Sequence, residues 1–449
     1  MKKIFQYIML AVVTIVMASC TSDIEETTAT TGKNNVQLVV GEFPAFGDSQ
    51  TRAIGTPDPG KTSWAEGDEL LLEIDNTSYG RHNATFTYNG SSWELTSGEL
   101  VYLEGDPAYI SHVYYAPNYK WEAGKLVLKE GKDPGTDEYI EGNARITGNG
   151  ETITVSFAEA TRKYSRLRIA TLPNEQITVD TEYFTPAGSS DMEQNGNYTL
   201  TSDEKGNAYL YGTFENNSEV TVKYREAALT TYTFSQATES AKSYALDATV
   251  ISANSAEEIK SAIEQKVADG KTTIRLNLAP NAGTNEFMAI REAIKGAAPN
   301  DLGTIELTII GVETIPEEAF YKMLQLKSVR MSDVKEIKKY AFKECQYLTV
   351  VEAPSLNKLC SGAFKKCDQL AKLTFGPINY ADERNWPIFE YITPNIDLIL
   401  SDYQKEMIET DSYLYTANND RDYAGSDEHN SKNFLGREFR SITCRYKVK

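Results

Sequence analysis

The chain has 449 residues, enough for about three domains that each bury a core of their own. Only 3 of its residues are histidine, whereas 27 are tyrosine, so catalysis that depends on imidazole has few candidates. The formal net charge of −19 would repel a phosphate backbone, which argues against nucleic acid as a partner.

The chain begins with the pattern of an export signal. Two lysines precede an apolar run over residues 4–17, which is too short to span a bilayer and is followed by small residues. The sequence Ala-Ser-Cys that ends at Cys20 resembles the lipobox of bacterial lipoproteins, with Met17 in place of the family's usual leucine. The resemblance implies that residues 1–19 are removed and that Cys20 carries a lipid that anchors the chain in a membrane.

Residues 20–35 are rich in Thr, Asp and Glu and cannot support a core, so we expect a flexible tether. Asp23, Glu25 and Glu26 resemble the acidic signal that sends some lipoproteins to the outer leaflet of the outer membrane. The resemblance implies a lipid-anchored, surface-exposed protein of the outer membrane. The alternative is a solvated tether without a sorting role.

Between residues 36 and 251, short apolar stretches alternate with turn residues, a pattern typical of all-β, sandwich-like domains. The length favours two domains, 36–140 and 141–251, with a boundary near residues 133–142. The clearest predicted strands are residues 36–40, 69–74, 84–88, 109–115, 152–157, 166–170, 208–214 and 220–224.

Two motifs in this region resemble fimbrillin-like surface proteins: the Thr-Arg-Ala of residues 51–53 followed by the Trp-Ala-Glu-Gly-Asp of residues 64–68, and the stretch 241–247. The resemblance implies paired β-sandwiches. Some members polymerise by inserting a strand into a neighbouring subunit after proteolysis behind an arginine, and Arg52 matches that position. The alternative is that Arg52 is an ordinary exposed turn residue.

Trp64 and Trp93 are candidates for stacking on a sugar. Aromatic residues in strands more often pack in the core, and that interpretation stays open beside the first.

Residues 252–311 read as an α/β cap. Residues 255–269 have an N-cap serine, a glutamate three positions later and apolar residues at helical spacing. Residues 273–278, 286–294 and 304–310 then predict strand, helix and strand, which would cover the apolar side of the segment that follows.

A 22-residue repeat occupies residues 312–377, as three segments that align without a gap. A fixed period of this kind is typical of a stacked solenoid, in which each unit covers the apolar side of its neighbour. The aligned apolar columns are Val312/Val334/Leu356, Ile315/Ile337/Leu359, Phe320/Phe342/Phe364, Met323/Cys345/Cys367, Leu326/Leu348/Leu370 and Val329/Val351/Leu373.

The repeat pattern I-x-x-x-A-F-x-x-C-x-x-L-x-x-V resembles leucine-rich repeats of the BspA-like type, whose members often act in adhesion to host or bacterial partners. Each Ala-Phe pair predicts a short helical turn, and the following Leu-x-x-Val or Leu predicts a strand. Cys345 and Cys367 share a column, so we expect buried free thiols. We expect the repeat to decay after residue 377 into a C-terminal cap, 378–449, with strands at 395–400 and 438–449 and a helix at 403–410.

Alternation along the repeat strands predicts which side chains point outward. Three strands give a sheet only about 15 Å wide, too narrow for a large concave interface. The outward residues form a mixed-charge stripe and a candidate contact surface: Ser328, Arg330, Val350, Glu352, Lys372 and Thr374. The inward residues are Val329, Met331, Val351, Ala353, Leu373 and Phe375.

The sequence predicts neither an enzyme nor a bound metal or cofactor, because it lacks a CxxC pair, a phosphate loop, an HExxH motif and a nucleophile elbow. Residues 418–431 suggest a calcium loop, but Ala424 replaces a ligand and Ser431 stands where glutamate is needed. A solvated loop is the favoured interpretation.

The order of parts leads to one hypothesis and two alternatives. The first is a non-enzymatic surface lipoprotein in which β domains form a stalk and the repeats bind a host or bacterial surface protein. The second is a fimbrial component that assembles by strand exchange. The third is a glycan-binding protein that uses the aromatic residues of the β domains.

Overall fold

The structure, a computed structural model, describes residues 37–44, 46, 60–76, 80–98, 108–147, 152–157, 162–225, 227–253, 255–382, 387–401, 433–435 and 437–446. The chain folds into two compact units. The first takes in the described residues up to 44, 61–127 and 140–161, and the second takes in 45–60, 128–139 and the described residues from 162 onward.

The first unit is built on one seven-stranded sheet with the order β1-β9-β8-β5-β2-β3-β4, and β6 pairs with β7 in a separate hairpin. Alternate residues face the core in β9, where Ile153 and Val155 are buried, whereas the central strand β2 is buried on both of its faces from Leu70 to Ile74. The strands are β1 (Gln37–Val40), β2 (Glu69–Asn76), β3 (Gly80–Tyr88), β4 (Trp93–Gly98), β5 (Ala108–Tyr115), β6 (Tyr119–Glu122), β7 (Lys125–Leu128), β8 (Ile140–Thr147) and β9 (Thr152–Ser156).

The first sheet continues beyond the boundary that we placed at residue 140. Ile140 opens β8 and pairs with Tyr115 of β5, and β9 then pairs with β8. The turn residues of 133–142 therefore introduce a strand instead of a linker. Residues 128–139 belong to the second unit, where the carbonyl of Gly135 accepts a hydrogen bond of 2.7 Å from the Tyr211 amide.

The second β domain also forms a single sheet, with the order β15-β14-β11-β13-β10-β16 and β12 paired to β11. Phe214 is at its centre, with ring centroids 4.5 Å from Phe184 and 4.7 Å from Phe234. The strands are β10 (Ser165–Ala170), β11 (Gln176–Pro186), β12 (Glu193–Thr201), β13 (Asn207–Phe214), β14 (Glu219–Tyr224), β15 (Ala227–Thr233) and β16 (Ser243–Asp247).

A buried charged cluster holds residues 128–139 against this domain. Arg162 is 1% exposed, and its Nη2 donates to Glu138 Oε1 at 2.7 Å while the Tyr164 hydroxyl donates to Glu138 Oε2 at 2.5 Å. Burial raises the pKa of Tyr164, and the charge of Glu138 raises it further. The cluster thus pairs every buried charge that it contains, as a low-dielectric interior requires.

The remaining residues form the cap and the solenoid. An eight-stranded parallel sheet has the order β17-β18-β19-β21-β23-β25-β27-β30, and a four-stranded sheet has the order β20-β22-β24-β26. The elements are β17 (Ile251–Ala253), α1 (Ala256–Ala268), β18 (Thr273–Leu278), α2 (Thr284–Ala297), β19 (Ile305–Ile310), β20 (Thr314–Ile315), β21 (Leu326–Met331), β22 (Glu336–Ile337), β23 (Val350–Ala353), β24 (Lys358–Cys360), β25 (Lys372–Phe375), β26 (Tyr380–Asp382), β27 (Asp397–Ser401), β28 (Asn433–Phe434), β29 (Arg437–Glu438) and β30 (Ser441–Tyr446).

Cap and repeats follow the sequence pattern closely. Ser255 caps α1, with its side chain accepting a hydrogen bond of 3.2 Å from the Glu258 amide. All six apolar columns are buried. The Phe column stacks, with ring centroids 5.1 Å apart between Phe320 and Phe342 and 5.4 Å apart between Phe342 and Phe364. The predicted fold class, two all-β domains followed by an α/β repeat solenoid with caps, is confirmed.

The Ala-Phe segments form tight turns instead of the helical turns that we expected. The cause is a left-handed backbone at two repeated positions, which interrupts helical hydrogen bonding. The φ angles are 56° at Glu318, 58° at Tyr340 and 64° at Gly362 for the first position, and 56° at Lys322, 63° at Glu344 and 58° at Lys366 for the second. Each turn bonds to the next coil instead, as in Phe320 N to Ala341 O at 2.7 Å. Adjacent coils are therefore closely spaced on this side as well as in the sheets.

We expected the repeat to end at residue 377, but the chain completes a fourth coil beyond that residue. Ile378 and Phe389 are buried in the same core, and β27 pairs with β25. Phe389 follows Phe364 by 25 residues, so three inserted residues interrupt the period. The predicted helix 403–410 and polar loop 418–431 lie outside the described residues.

The solenoid and the second β domain share a junction. Ile310 at the end of β19 is fully buried in the hydrophobic cluster of the second β domain. Arg275 of β18 is 7% exposed, and its Nε donates to the carbonyl of Leu229 at 2.5 Å. The predicted domain boundary at 251/252 is thus crossed by packing, which explains why both regions belong to one compact unit.

Candidate interaction surface

The six stripe residues lie in two neighbouring rows across the eight-stranded sheet. One row aligns Ser328, Val350 and Lys372, and the other aligns Arg330, Glu352 and Thr374. Parallel strands in register place equivalent residues side by side, which is why a strict 22-residue period produces straight rows. We call this surface the sheet face.

One of the six residues, Ser328, is less exposed than alternation predicts. Ser328 is 6% exposed, although alternation directs it outward. Its row neighbours are Glu306 and Val350, and the register of β19 and β21 is irregular at this point. Lys327 Nζ lies 2.8 Å from Glu306 Oε1, so an ion pair lies beside Ser328 at this irregular point. The other five are half-buried, and all six predicted inward residues are buried.

Ion pairs cross the sheet face from strand to strand. Arg330 Nε lies 3.0 Å from Glu352 Oε2, and Lys372 Nζ lies 3.5 Å from Glu352 Oε1. Their side chains are 40%, 28% and 45% exposed, so each pair contributes at most about 1 kcal/mol to stability. These groups are therefore available to exchange partners with an incoming surface at little cost to the fold.

The face continues beyond the three predicted strands on its C-terminal side. Asp397 and Ile399 of β27 extend the two rows, and Ser441 and Thr443 of β30 extend them again. The hydrogen bond from Arg440 and then that from Ser441 hold the pKa of Asp397 below its usual range. This end of the face thus carries a carboxylate that is paired with Arg440 and Ser441.

The N-terminal side of the face is covered. Thr308, which precedes Arg330 in its row, is 3% exposed, and Arg275 is buried at the junction. The open part consequently spans five strands, from β21 to β30, or about 24 Å where we expected about 15 Å. Residues such as Asp397 could not be found from the repeat pattern, because the three inserted residues of the fourth coil hide its period.

The two tryptophans of the first unit lie in an aromatic cluster. The Trp64 ring is 4.9 Å from Phe43, 5.2 Å from Trp93 and 5.3 Å from Tyr115, all in edge-to-face contact. Its Nε1 donates to the carbonyl of Gly41 at 2.8 Å. These contacts favour the packing interpretation over sugar stacking, since aromatic rings already surround the Trp64 indole.

Several predicted sites cannot be placed. Cys20, Arg52 and the candidate calcium loop at 418–431 lie outside the described residues, and their roles stay predictions. In the part of the chain that the structure describes, no group of three His, Cys, Asp or Glu side chains is arranged to hold a metal ion. Among the same residues, no helix is both long and apolar enough to cross a membrane.

The stacked coils and the sheet face define the C-terminal region as a leucine-rich repeat solenoid. A family model described as "BspA type Leucine rich repeat region (6 copies)" matches residues 301–404, which include the fourth coil. No curated protein matches the sequence.

Several solved structures show similarity, among them the following three. A leucine-rich repeat protein of T. pallidum is 18% identical, with a TM-score of 0.17, and the match covers 21% of this chain and 58% of that one. A candidate cell adhesion protein of Bacteroides fragilis is 10% identical, with coverage of 48% and 93% and a TM-score of 0.27. The minor pilin GBS52 of Streptococcus agalactiae is 10% identical, with coverage of 48% and 94% and a TM-score of 0.17. TM-scores this low carry no argument about function.

Proposed function

We propose that this chain is a non-enzymatic, cell-surface adhesion protein that binds a protein partner through the sheet face of its repeat solenoid. The observation that carries the proposal is the open five-strand face, on which half-exposed side chains of both charge signs lie in straight rows. A match to a repeat family instead of an enzyme family supports the non-enzymatic assignment.

The dimensions of the face indicate a weak interface. Five strands span about 24 Å, and four to six residues are about 13–20 Å long, which together give roughly 300–500 Å². A standard protein interface takes about 800 Å² from each partner, so a single copy should bind transiently. Many copies on one cell would then act together, because simultaneous attachment multiplies weak affinities.

The proposed function includes a lipid anchor at the N-terminal end of the mature chain. Lipidation at Cys20 would fix the chain in the outer membrane, and the acidic residues after it would favour the outer leaflet. Mass spectrometry of membrane-extracted protein should find a lipid-modified N-terminal cysteine. An unmodified thiol at Cys20 would contradict the anchor and leave the binding face untouched.

Point variants test binding through the sheet face. Removal of the solenoid is not a clean test, because it would also take Ile310 out of the hydrophobic cluster of the second β domain. The face variant is Arg330→Gln with Lys372→Gln, and the matched control is Lys260→Gln with Lys271→Gln, two exposed lysines of the cap. We expect cells that display the face variant to adhere to target cells several-fold less than wild type, while the control adheres normally. Equal adhesion by wild type and face variant would refute the proposal.

A further inference from the structure

The turns that connect the four-stranded sheet to the eight-stranded sheet carry a second surface, which is basic. Arg291 Nη1 donates to the carbonyl of Glu318 at 2.9 Å, and Phe342 N donates to the carbonyl of Ala363 at 2.9 Å. These contacts align α2 with the successive coils. The basic side chains that they bring together, here named the lysine ridge, are Arg291, Lys295, Lys322, Lys339, Lys343 and Lys366.

The lysine ridge has more positive charge than its neighbours neutralise. The carboxylate of Glu344 is shared by Lys322 at 3.5 Å, Lys343 at 4.0 Å and Lys366 at 4.0 Å. One carboxylate balances one of the three ammonium groups. The side chains of Lys322 and Lys366 keep 56% and 47% of their surface exposed, so the surplus charge faces solvent.

Other acids near the ridge change this balance little. Glu390 pairs at 2.6 Å with Lys365, which follows Lys343 by 22 residues, so this pair adds no net charge to the ridge. Glu317 and Glu318 are exposed on the first coil, at the end of the ridge that adjoins α2. The centre of the ridge, around Lys322 and Lys343, therefore stays positive in a chain whose net charge is −19.

Tyrosine rings fix the positions of these ammonium groups. Lys343 Nζ lies 5.0 Å from the ring centroid of Tyr321 and 4.7 Å from that of Tyr340, and Lys339 Nζ lies 4.8 Å from Tyr340. A cation over an aromatic face is attracted to it, which restrains a side chain that is otherwise flexible. The ridge thus presents a row of positioned charges along the stacking direction of the coils.

We propose that the lysine ridge binds an anionic polysaccharide. The ridge is only one turn wide, so it offers a narrow line of charges instead of a broad surface. An extended peptide would bind by pairing with free backbone groups, but the amides of Glu318, Phe320 and Lys322 already donate to the next coil. A linear polymer recognised through its acidic groups fits a surface that offers side-chain charges alone.

The test measures binding of the purified chain to immobilised polygalacturonate, dextran sulfate, neutral dextran and polyglutamate at about 50 mM NaCl, where surface charges are weakly screened. The ridge variant combines Lys322→Gln, Lys343→Gln and Lys366→Gln. Its matched control combines Lys205→Gln, Lys260→Gln and Lys271→Gln, which remove the same charge from exposed positions elsewhere. Urea midpoints establish that both variants fold, and Lys322→Gln with Lys366→Gln replaces the triple variant if it does not.

We expect binding to at least one acidic polysaccharide and none to dextran. The ridge variant should bind at least about tenfold more weakly, while the matched control binds as wild type does. A preference for polygalacturonate or dextran sulfate identifies a carboxylate or a sulfate as the group recognised.

No binding to either polysaccharide, equal weakening in the matched control, or tighter binding to polyglutamate would overturn the proposal, the last in favour of an acidic protein. The face variant, Arg330→Gln with Lys372→Gln, should bind the polysaccharide as wild type does. Failure of the polysaccharide proposal is therefore distinguishable from failure of the proposal that the sheet face binds a protein.

Discussion

Ser328 and Arg330 lie in the same strand of the sheet face but differ in their exposure to solvent. Alternation directs both outward, yet Ser328 is 6% exposed while the side chain of Arg330 is 40% exposed. Ser328 pairs with Glu306, where the register of β19 and β21 is irregular, whereas Arg330 pairs with Thr308 in the regular part of the sheet. Within this strand, Arg330 is therefore the side chain that a partner can reach.

The repeat cysteines are buried as expected. Cys345 and Cys367 are fully buried, and their thiols donate to the carbonyls of Phe320 at 2.9 Å and Phe342 at 3.0 Å. Burial raises the pKa of the Cys345 thiol to about 12, and it raises the pKa of Cys367 as well. Both thiols should stay protonated at any physiological pH.

Alkylation tests these two thiols, because the thiolate is the reactive form. In the folded chain at pH 8, iodoacetamide should leave Cys345 and Cys367 unmodified, and after denaturation it should modify both. Peptide mass spectrometry gives the readout, with the half-buried Cys360 as an internal comparison. Labelling of Cys345 as fast as that of Cys360 before denaturation would show that the column is not packed as described.

At the scale of the element, each coil depends on a left-handed residue at the start of its turn. Gly362 adopts this conformation without a steric penalty, and a Cβ atom there would lie 2.5 Å from the Tyr340 ring. Glu318 and Tyr340 hold the same conformation with a side chain, which costs roughly 1–2 kcal/mol per residue. The repeat thus tolerates strain that stacking against the next coil offsets.

Glu318→Gly should relieve this strain at an exposed position. We expect the free energy of unfolding to rise by about 0.5–1 kcal/mol, because glycine occupies positive φ readily. The neighbouring Glu317→Gly is the control and should lower it by a similar amount, since φ at Glu317 is not positive. Urea denaturation measures both, and a loss of stability in Glu318→Gly would contradict the account of the turn.

The 22-residue period predicted the buried columns because each coil repeats the same contacts. The same period extends back to Leu307 and Ile309, which precede Val329 and Met331 by 22 residues and pair with them. It fails at the fourth coil, where Leu398 follows Leu373 by 25. Only part of the width of the sheet face could therefore be predicted from the sequence.

At the scale of the whole molecule, the junction between solenoid and second β domain could not be predicted. The Arg275 side chain bonds to the carbonyl of Leu229, 46 residues earlier, and no periodic pattern links the two. Burial lowers the pKa of Arg275, and the charge of Asp247, 3.8 Å away, opposes that effect. The arginine nevertheless stays a cation held by specific partners.

Arg275→Ala should lower the free energy of unfolding by about 2–3 kcal/mol, because it removes the donor to the Leu229 carbonyl and the ion pair with Asp247. It should also broaden the urea transition as the two regions cease to unfold together. Lys271→Ala, at an exposed site nearby in the sequence, should stay within about 0.5 kcal/mol of wild type. A wild-type unfolding curve for Arg275→Ala would show that the junction contributes nothing.

Acid should weaken the same junction. Burial raises the pKa of Asp247, but hydrogen bonds from Thr249 and the charges of Arg275 and Lys266 outweigh it, so the pKa is lowered overall. A lowered carboxyl pKa contributes stability that is present above the ordinary value of about 3.9 and is lost as pH falls through the folded-state value. Unfolding curves from pH 6 to pH 2 should therefore show a smaller acid-induced loss in Asp247→Asn than in wild type, and equal losses would contradict this assignment.

The central claim, that a partner docks on the sheet face, is tested most directly by a photo-crosslinking amino acid placed on that face. Position 374 is half-buried in the Arg330 row, and position 260 is exposed on α1 as the matched control. With displaying cells bound to target cells, we predict covalent adducts to a target surface protein from position 374 and none from position 260. Adhesion that persists while position 374 forms no more adducts than position 260 would contradict the account.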